Sequence, residues 1–268
     1  MKPLVSIIIP CYNHSRFIKE ALDSIVADTY PNKEIVIIDD GSKDDSVPVI
    51  KHWIDNNRDQ NVKFTSRENN GFCKTLNELV DQSTGQYIVL LASDDVLINN
   101  TISDRVTILK ERGKMVLVSD AEVINDSGEL LFSSMLTGFH KAIKEKYYTS
   151  EGILDEIIFN FSISGAVVIM DRKIFNLIGK YPEDLKAEDL FFYLSSASLN
   201  QILFWDKVVS KYRIHSSNTS GVNPELTKTV IKTYKRLFFK IPGFKRKLKL
   251  VKRLLGIYYH RFKNNQSF

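Results

Sequence analysis

The chain has 268 residues, of which 43% are hydrophobic and 26% are charged. This composition is typical of a folded globular protein and excludes a disordered or collagen-like chain. Two cysteines are too few for a disulfide scaffold or a four-cysteine zinc site. The first ten residues lack the pattern of a signal peptide, and no run of 18 apolar residues occurs, so we expect no membrane-spanning segment.

The first hundred residues alternate short apolar runs with helical patterns. Strands are predicted at residues 4–9, 35–38, 62–65 and 87–92, and the segments between them have apolar residues at helical spacing. This order predicts an α/β fold, with a mostly parallel sheet flanked by helices.

The pattern beyond residue 100 is less regular. Strands are predicted at residues 115–119, 166–170, 202–205 and 208–214, and a helix is predicted at 187–199. No linker precedes about residue 222. We therefore expect a single domain of residues 1–221, with halves 1–100 and 101–221, and a basic helical tail at 222–268.

Charge is distributed unevenly between these two parts. Thirteen of the 37 lysines and arginines follow Glu225, and no acidic residue does, which leaves 24 basic and 32 acidic residues in the chain up to and including Glu225. Such segregation is typical of contact with an anionic membrane or with nucleic acid. The tail has aromatic and aliphatic residues at helical spacing with lysines between them, which favours a membrane surface over a helix packed on the domain. No nucleic-acid motif accompanies the charge, so we expect no nucleic-acid partner.

Three of the four early strands end in polar clusters. Ligands bind beyond the carboxyl ends of strands in open α/β sheets, so these clusters are expected to converge on one crevice. A single cluster of this kind is more often a turn or helix cap, but three in succession favour a site. The clusters are Pro10-Cys11-Tyr12-Asn13, Asp39-Asp40-Gly41-Ser42 and Ser93-Asp94-Asp95.

The usual nucleotide motifs do not follow these strands. No G-x-G-x-x-G follows the first strand, and no G-x-x-x-x-G-K-[ST] is present. An acidic pair at a strand end remains, and carboxylates without clustered cysteine or histidine favour hard cations such as Mg²⁺ or Mn²⁺. A nucleotide diphosphate would complete such a site.

In its ordered motifs the chain resembles the family 2 glycosyltransferases, which have the GT-A fold. The resemblance covers residues 4–221. Its nucleotide-sugar half is carried by VSIIIPCYNH, EIVIIDDGSKDDS, ENNGFCKTLN and YIVLLASDD, and its acceptor half by SGAVVIMDRKIFNLIGKYPEDLKAEDLFFYL and KYRIHSSNTS.

The resemblance implies a donor-binding role for the strand-end residues. Pro10 and Tyr12 match positions that cradle uracil, with Asn13 in the same segment, although Tyr12 could be an ordinary core residue. Asp40 matches the carboxylate that accepts a hydrogen bond from the uracil N–H, with Asp39 building that corner. Asp94 is expected to face the ribose and the sugar.

The metal and the general base are implied in the same way. Asp95 matches the metal ligand, and His215 lies where some members place another, although a scaffold histidine is an equal alternative. Asp189 matches the general base, and Glu188 is a second acid that could be the base instead. From position alone, Asp189 could simply be a first-turn acid favoured by the helix dipole.

Two positions depart from the family pattern. Ala92 stands where the metal motif often has another aspartate, so metal binding is expected to depend more on Asp95, His215 and the nucleotide. Gly71 stands where a relative has an arginine near the base, and Lys74 or Arg67 could substitute for it.

The resemblance implies an inverting, metal-dependent glycosyltransferase that uses Mn²⁺ or Mg²⁺ and a UDP-sugar, with UDP-glucose as the first guess. The expected acceptor is a sugar on undecaprenyl diphosphate, and the product is a β-linkage in O-antigen (lipopolysaccharide) or capsule assembly. Such an enzyme is expected to be cytoplasmic and peripheral on the inner face of the cell membrane. The alternatives are a non-catalytic nucleotide-sugar-binding scaffold and a nucleotidyltransferase.

Overall fold

The structure is a computed structural model that describes residues 1–163, 165–185, 188–216 and 224–263. Its first part confirms the predicted alternation of strands and helices. Four parallel strands form one half of a sheet, in the order β3-β2-β1-β4. The elements are β1 (Val5–Cys11), α1 (Ile18–Ala27), β2 (Lys33–Asp39), α2 (Ser46–Asn56), β3 (Val62–Ser66), α3 (Phe72–Gln82) and β4 (Tyr87–Leu90).

The second part extends the same sheet with mixed pairing. Its strands are β5 (Val96–Leu97), β6 (Val116–Ile124), β7 (Leu130–Phe132), β8 (Val168–Asp171) and β9 (Ile202–Arg213). Its helices are α4 (Ile102–Arg112), α5 (Ser150–Phe159), α6 (Ile174–Ile178) and α7 (Glu188–Ser198), with a π-helical turn at Met135–Phe139 and 3₁₀ turns at Lys144–Tyr148 and Gly165–Val167. The order continues β4-β8-β6-β9-β5, with β7 beside β6. Strand β8 is antiparallel to both β4 and β6, whereas β6 and β9 are parallel.

Two strand predictions in this part were wrong in detail. The segments predicted at 202–205 and 208–214 form the single strand β9, because both pair with β6 across an irregular register between Val118 and Ala121. Strand β5 was not predicted, since two residues are too few to show an apolar pattern.

The hydrophobic core lies on both faces of the sheet. Alternate residues of β1 divide between the two faces, as the pleat of a strand requires. Ile7 and Ile9 pack with α1, α2 and α4, while Ile8 packs with α3, α5 and α7. Every residue of β1 is buried, which explains why its sequence is apolar apart from Ser6.

A buried carboxylate holds together the strand edge opposite the polar clusters. Glu34 in β2 accepts hydrogen bonds from Ser6 Oγ (2.6 Å), Lys63 Nζ (3.0 Å) and the backbone N–H of Thr84 (2.5 Å) and Gly85 (3.1 Å). Burial alone would raise its pKa, but these donors outweigh burial and lower the pKa to about 2.

Two helices follow the sheet, α8 (Pro224–Leu237) and α9 (Phe244–Lys263). Tyr234, Leu237 and Leu250 are buried in the same core cluster as α7. Arg246 pairs with Asp155 and Glu151 of α5, both at 2.5 Å. Part of the predicted tail therefore packs on the domain, and the predicted boundary near residue 221 lies outside the described residues. Among the described helices, none combines the length and apolar character that crossing a membrane requires.

Candidate functional site

The polar clusters that follow β1, β2 and β4 lie at one edge of the sheet. These strands are adjacent and parallel, so their carboxyl ends point the same way. The sequence prediction that the clusters converge is confirmed. Strand β9 brings a fourth segment to this edge, because Asp95 accepts a hydrogen bond from the backbone N–H of Arg213 at 2.9 Å.

The loop after β1 is interlocked with the loop after β2. Asn13 has a left-handed backbone (φ 55°); its N–H donates to Ser42 Oγ at 2.8 Å and its Oδ1 accepts from the N–H of Lys43 at 2.7 Å. Pro10 is buried in β1. Tyr12 has 46% of its surface exposed, which excludes the alternative interpretation of Tyr12 as an ordinary core residue. Its ring is available for stacking against a planar ligand.

Asp39 and Asp40 have different surroundings. Asp39 is fully buried and accepts hydrogen bonds from the N–H (3.0 Å) and hydroxyl (2.5 Å) of Ser42. Asp40 accepts from the guanidinium of Arg67 and from the N–H groups of Asn70 (2.8 Å) and Gly71 (3.1 Å). Asp40 Oδ2 makes only the bond to Gly71 in this set, so a lone pair remains for one further donor.

The turn between these aspartates and the next loop requires glycine. Gly41 has φ +79°, and a Cβ atom there would lie 2.7 Å from the backbone nitrogen of Asn69. Arg67, which the sequence named as a possible base contact, instead bonds Asp40, Glu78 (2.8 Å) and the hydroxyl of Thr75 (2.9 Å). The loop of residues 67–71 is thereby fixed against Asp40.

The adjacent residues Asp94 and Asp95 face different partners. Asp94 Oδ2 lies 3.0 Å from His215 Nε2, and Asp94 Oδ1 lies 3.8 Å from His14 Nδ1. Asp95 is buried against the backbone of Arg213, and burial together with the charge of Asp94 raises its pKa, opposed by Arg213. The Arg213 side chain donates from Nε to the carbonyl of Asp94 at 2.8 Å and thus ties β9 to this turn.

The ring of Phe17 packs against both histidines. The ring of Phe17 lies 4.8 Å from that of His215, and the two histidine rings are 5.4 Å apart and perpendicular. His14 Nδ1 also lies 2.7 Å from Ser93 Oγ. Burial, reinforced by His215 and opposed by the charge of Asp94, lowers the pKa of His14.

The group formed by Asp94, His215 and His14 fits a divalent cation. One ligand atom from each residue lies within 4.8 Å of the other two. Ligands about 2.1 Å from an ion lie about 3 Å apart when adjacent and about 4.2 Å when opposite, so small rotations of the rings close the site. Asp95, the metal ligand expected from the sequence, lies outside this group, and His14, which the sequence analysis did not single out, lies within it.

The acidic pair Glu188 and Asp189 begins α7, as predicted. Burial raises the pKa of both carboxyl groups, and the charge of Asp189 raises that of Glu188 further. The N–H of Leu190 donates to Asp189 at 2.6 Å, which favours the ionised form. A carboxylate with a raised pKa at the start of a helix is suited to accept a proton.

Helix α3 connects this acidic pair to the Asp40 corner. The side chain of Asn77 bonds the backbone N–H and carbonyl of Tyr181, both at 2.9 Å, and Cys73 Sγ lies 2.9 Å from the carbonyl of Leu185. The first residue of α3 follows Gly71, whose N–H donates to Asp40. One helix thus fixes both the loop that holds Asp40 and the segment that leads to α7.

A family model described as glycosyl transferase family 2 matches residues 6–178. A glycosyltransferase of Rickettsia prowazekii described as uncharacterized is 30% identical over 223 residues, which cover 82% of this chain and 66% of the relative. The chain thus spans slightly less than two thirds of that relative's length.

Solved structures with the same fold come from two other organisms. TarS of S. aureus, residues 1–349 in complex with UDP-GlcNAc, has a TM-score of 0.69 and 22% identity, over 95% of this chain and 72% of that one. The mannosyltransferase PcManGT of Pyrobaculum calidifontis, in complex with GDP-Man and Mn²⁺, has a TM-score of 0.66 and 16% identity, over 96% of this chain and 76% of that one. These likenesses confirm the predicted GT-A fold.

Proposed function

The chain belongs to glycosyl transferase family 2, and we propose that it is an inverting enzyme that moves a hexose from a UDP-sugar to a lipid-linked sugar. The observation that carries this proposal is the placement of Tyr12, Asp40 and the Asp94–His215 pair at one edge of the sheet, where strand ends form a ligand crevice. UDP-glucose is the first donor candidate, and UDP-N-acetylhexosamines follow because the S. aureus neighbour binds UDP-GlcNAc.

The donor's nucleoside fits the corner between the first two strands. The exposed ring of Tyr12 stacks on the base, with Pro10 behind it in β1. The free lone pair of Asp40 accepts the uracil N–H, and the fixed loop of residues 67–71 closes the corner. Asn13 and Asp39 act on this corner indirectly, by holding the loops after β1 and β2.

Asp94 and His215 would hold a divalent cation beside the donor's diphosphate. Mn²⁺ or Mg²⁺ bound there would supply positive charge that stabilises the departing UDP. We propose Asp94, in place of the Asp95 expected from the sequence, as the carboxylate ligand, because Asp94 lies in the group with His215. Asp95 instead positions the site, because its bond to the Arg213 N–H fixes the strand that leads to His215.

The acceptor hydroxyl is activated by the acidic pair on α7. Asp189 takes the proton of the hydroxyl as its oxygen attacks the anomeric carbon from the face opposite UDP. Inversion at that carbon converts an α-linked donor into a β-linked product. Glu188 lies beside Asp189, and burial together with the charge of Asp189 raises the pKa of Glu188. Held in line by the sheet, the two substrates react without the entropic cost of a random encounter.

The exposed face of α9 suits the surface of an anionic bilayer. Its docked side contains Arg246, Leu250 and Leu254, spaced four residues apart. The opposite side has an apolar stripe beside a basic one, as amphipathic interfacial helices do. The apolar stripe is Phe244 (82% exposed), Leu248 (48%), Val251 (37%) and Leu255 (62%), and the basic stripe is Lys245, Lys249 and Lys252.

A cytoplasmic enzyme held on the inner membrane face by this surface would meet acceptors that are anchored in the bilayer. We therefore extend the proposal to a sugar on undecaprenyl diphosphate, in the assembly of O-antigen or capsular polysaccharide. Apolar and basic stripes outside the docked face support this reading, because a helix that only packs on its domain needs one apolar face.

A donor screen tests the proposed reaction. The protein is incubated with UDP-hexoses, GDP-mannose or nucleoside triphosphates, a lipid-diphosphate-sugar acceptor and Mn²⁺, and the small products are separated. We expect acceptor-dependent release of UDP that stops in EDTA. Release of pyrophosphate would indicate a nucleotidyltransferase, and binding of UDP-sugar without turnover on any acceptor would indicate a scaffold.

A further inference from the structure

We propose that His14 is a third protein ligand of the divalent cation, and that this two-histidine, one-carboxylate set binds a transition-metal ion in preference to Mg²⁺ before any nucleotide arrives. This inference rests on the proposed function only for the location of the cation beside the donor. The observation behind it is the placement of His14, Asp94 and His215 within 4.8 Å of one another.

The backbone explains why a residue of the first loop reaches the metal group. The left-handed conformation of Asn13 turns the chain directly before His14, whose N–H then donates to Ser46 Oγ at 2.9 Å. This turn places the His14 ring perpendicular to the His215 ring, on the Oδ1 side of Asp94. Asp94 therefore has one histidine near each of its carboxylate oxygens.

The donor atoms determine which cation is favoured. Mg²⁺ takes oxygen ligands and keeps several waters, and it is usually held by one or two carboxylates and substrate phosphates. Imidazole nitrogen binds first-row transition ions, and two imidazoles with one carboxylate are a common set for them. Three protein ligands also hold an ion without the phosphates, whereas a site of one carboxylate and one histidine needs the nucleotide for completion.

A simpler role for His14 is a hydrogen bond to Ser93, whose Oγ lies 2.7 Å from His14 Nδ1. The two roles predict different effects of Ser93→Ala on Mn²⁺ affinity. If His14 is a ligand, removal of the competing hydroxyl leaves Mn²⁺ affinity unchanged or increases it. If His14 only braces Ser93 and the turn, Ser93→Ala and His14→Ala affect the site in the same direction.

The experiment uses Mn²⁺ as the probe and the full chain without nucleotide. Electron paramagnetic resonance of free Mn²⁺ gives the dissociation constant, and pulsed measurements count the imidazole nitrogens coupled to bound Mn²⁺. We expect two coupled imidazoles in the native protein, one in His14→Ala, and at least a tenfold weaker Mn²⁺ affinity in that variant. Competition with Mg²⁺ should show a preference for Mn²⁺ that shrinks in His14→Ala.

Controls separate this inference from the proposed function. His52→Gln removes an exposed histidine on α2 and should change nothing. A single coupled imidazole in the native protein overturns the inference, and that result is available even if His14→Ala fails to fold. If Mn²⁺ affinity survives His14→Ala while UDP release proceeds, the inference fails and the function stands. Two coupled imidazoles without transfer from any donor would support the inference and refute the function.

Discussion

Neutralising the three exposed lysines of α9 should release the protein from anionic membranes without unfolding it. Lys245, Lys249 and Lys252 lie on the side of the helix that faces away from the domain, whereas Arg246 and Leu250 hold the docked side. Changing all three lysines to glutamine therefore leaves the packing intact. Cutting the chain near residue 240 would instead remove Leu250 from the core, so truncation is a poorer test.

The expected loss of membrane affinity can be estimated from the charges. Each lysine near an anionic surface contributes about 1 kcal/mol, so three contribute about 3 kcal/mol. Because each 1.4 kcal/mol is tenfold, binding to anionic vesicles at low salt should weaken roughly 100-fold. The difference should shrink as salt is raised, since the Debye length falls from about 30 Å at 0.01 M to about 8 Å at physiological ionic strength.

Vesicle sedimentation with phosphatidylglycerol and with neutral lipid measures this loss, and a thermal melt confirms the fold. The matched control makes the same change in net charge away from α9, with Lys51 on α2 and Lys110 and Arg112 on α4 changed to glutamine. We expect the control to bind as the native protein does. Equal binding of the α9 variant and the native protein would refute the membrane role of this helix face.

Three further results follow from the site and the core. Asp94→Asn should weaken Mn²⁺ binding at least tenfold and reduce transfer accordingly, whereas Asp95→Asn should affect Mn²⁺ binding less. If a Mn²⁺ titration shows the larger loss of affinity in Asp95→Asn, Asp95 is the ligand instead. Asp189→Asn should lower turnover by roughly 10²–10⁴-fold with little change in UDP binding, and loss of UDP binding would contradict the base assignment. Because the pKa of Asp189 is raised, the acidic limb of the native protein's kcat–pH profile should lie above pH 4. At pH values above the unfolded-state pKa of Glu34, the lowered pKa contributes about 3 kcal/mol to the free energy of unfolding, and this contribution is lost as pH falls towards 2. Glu34→Gln should therefore lower the free energy of unfolding in urea at pH 7 by roughly that amount. Equal urea midpoints for the two proteins would refute this prediction.

The sequence predicted the sheet well because its strands are buried on both faces. Nearly continuous apolar runs such as residues 4–9, with Ser6 as the one polar residue, are read as buried strands once helical patterns lie between them. Strand β5 escaped prediction because Val96 and Leu97 owe their extended conformation to pairing with β9, a contact between distant segments. The break expected near Asp206 is absent, since pairing with β6 carries β9 through it.

The sequence predicted which residue types form the candidate site, but it did not predict which way their side chains face. Asp94 and Asp95 are adjacent acids, and only the backbone at the end of β4 decides that Asp94 turns to the histidines and Asp95 to Arg213. His14 was present in the Tyr12-Asn13-His14 segment, but its approach to Asp94 depends on the left-handed turn at Asn13. Asparagine before histidine at a strand end was the only signal available.

Helix α9 shows what the helical spacing of apolar residues cannot predict, namely which apolar face packs on the domain. Apolar residues at helical spacing predict that a helix has an apolar face, but α9 has two, of which one docks on α5 and the other is exposed. Which face docks is decided by Asp155 and Glu151, about ninety residues earlier in the chain, which pair with Arg246. No local pattern contains that information.

The anomeric configuration of the product tests the central proposal most directly. The native protein is given an α-linked UDP-hexose selected by the donor screen, a lipid-diphosphate-sugar acceptor and Mn²⁺, and the product is examined by NMR. In-line attack assisted by Asp189 predicts a β-linkage, seen as a large coupling between H1 and H2 of a transferred gluco- or galacto-configured sugar, with one UDP released per bond formed. An α-linked product, or pyrophosphate in place of UDP, would contradict the proposed mechanism.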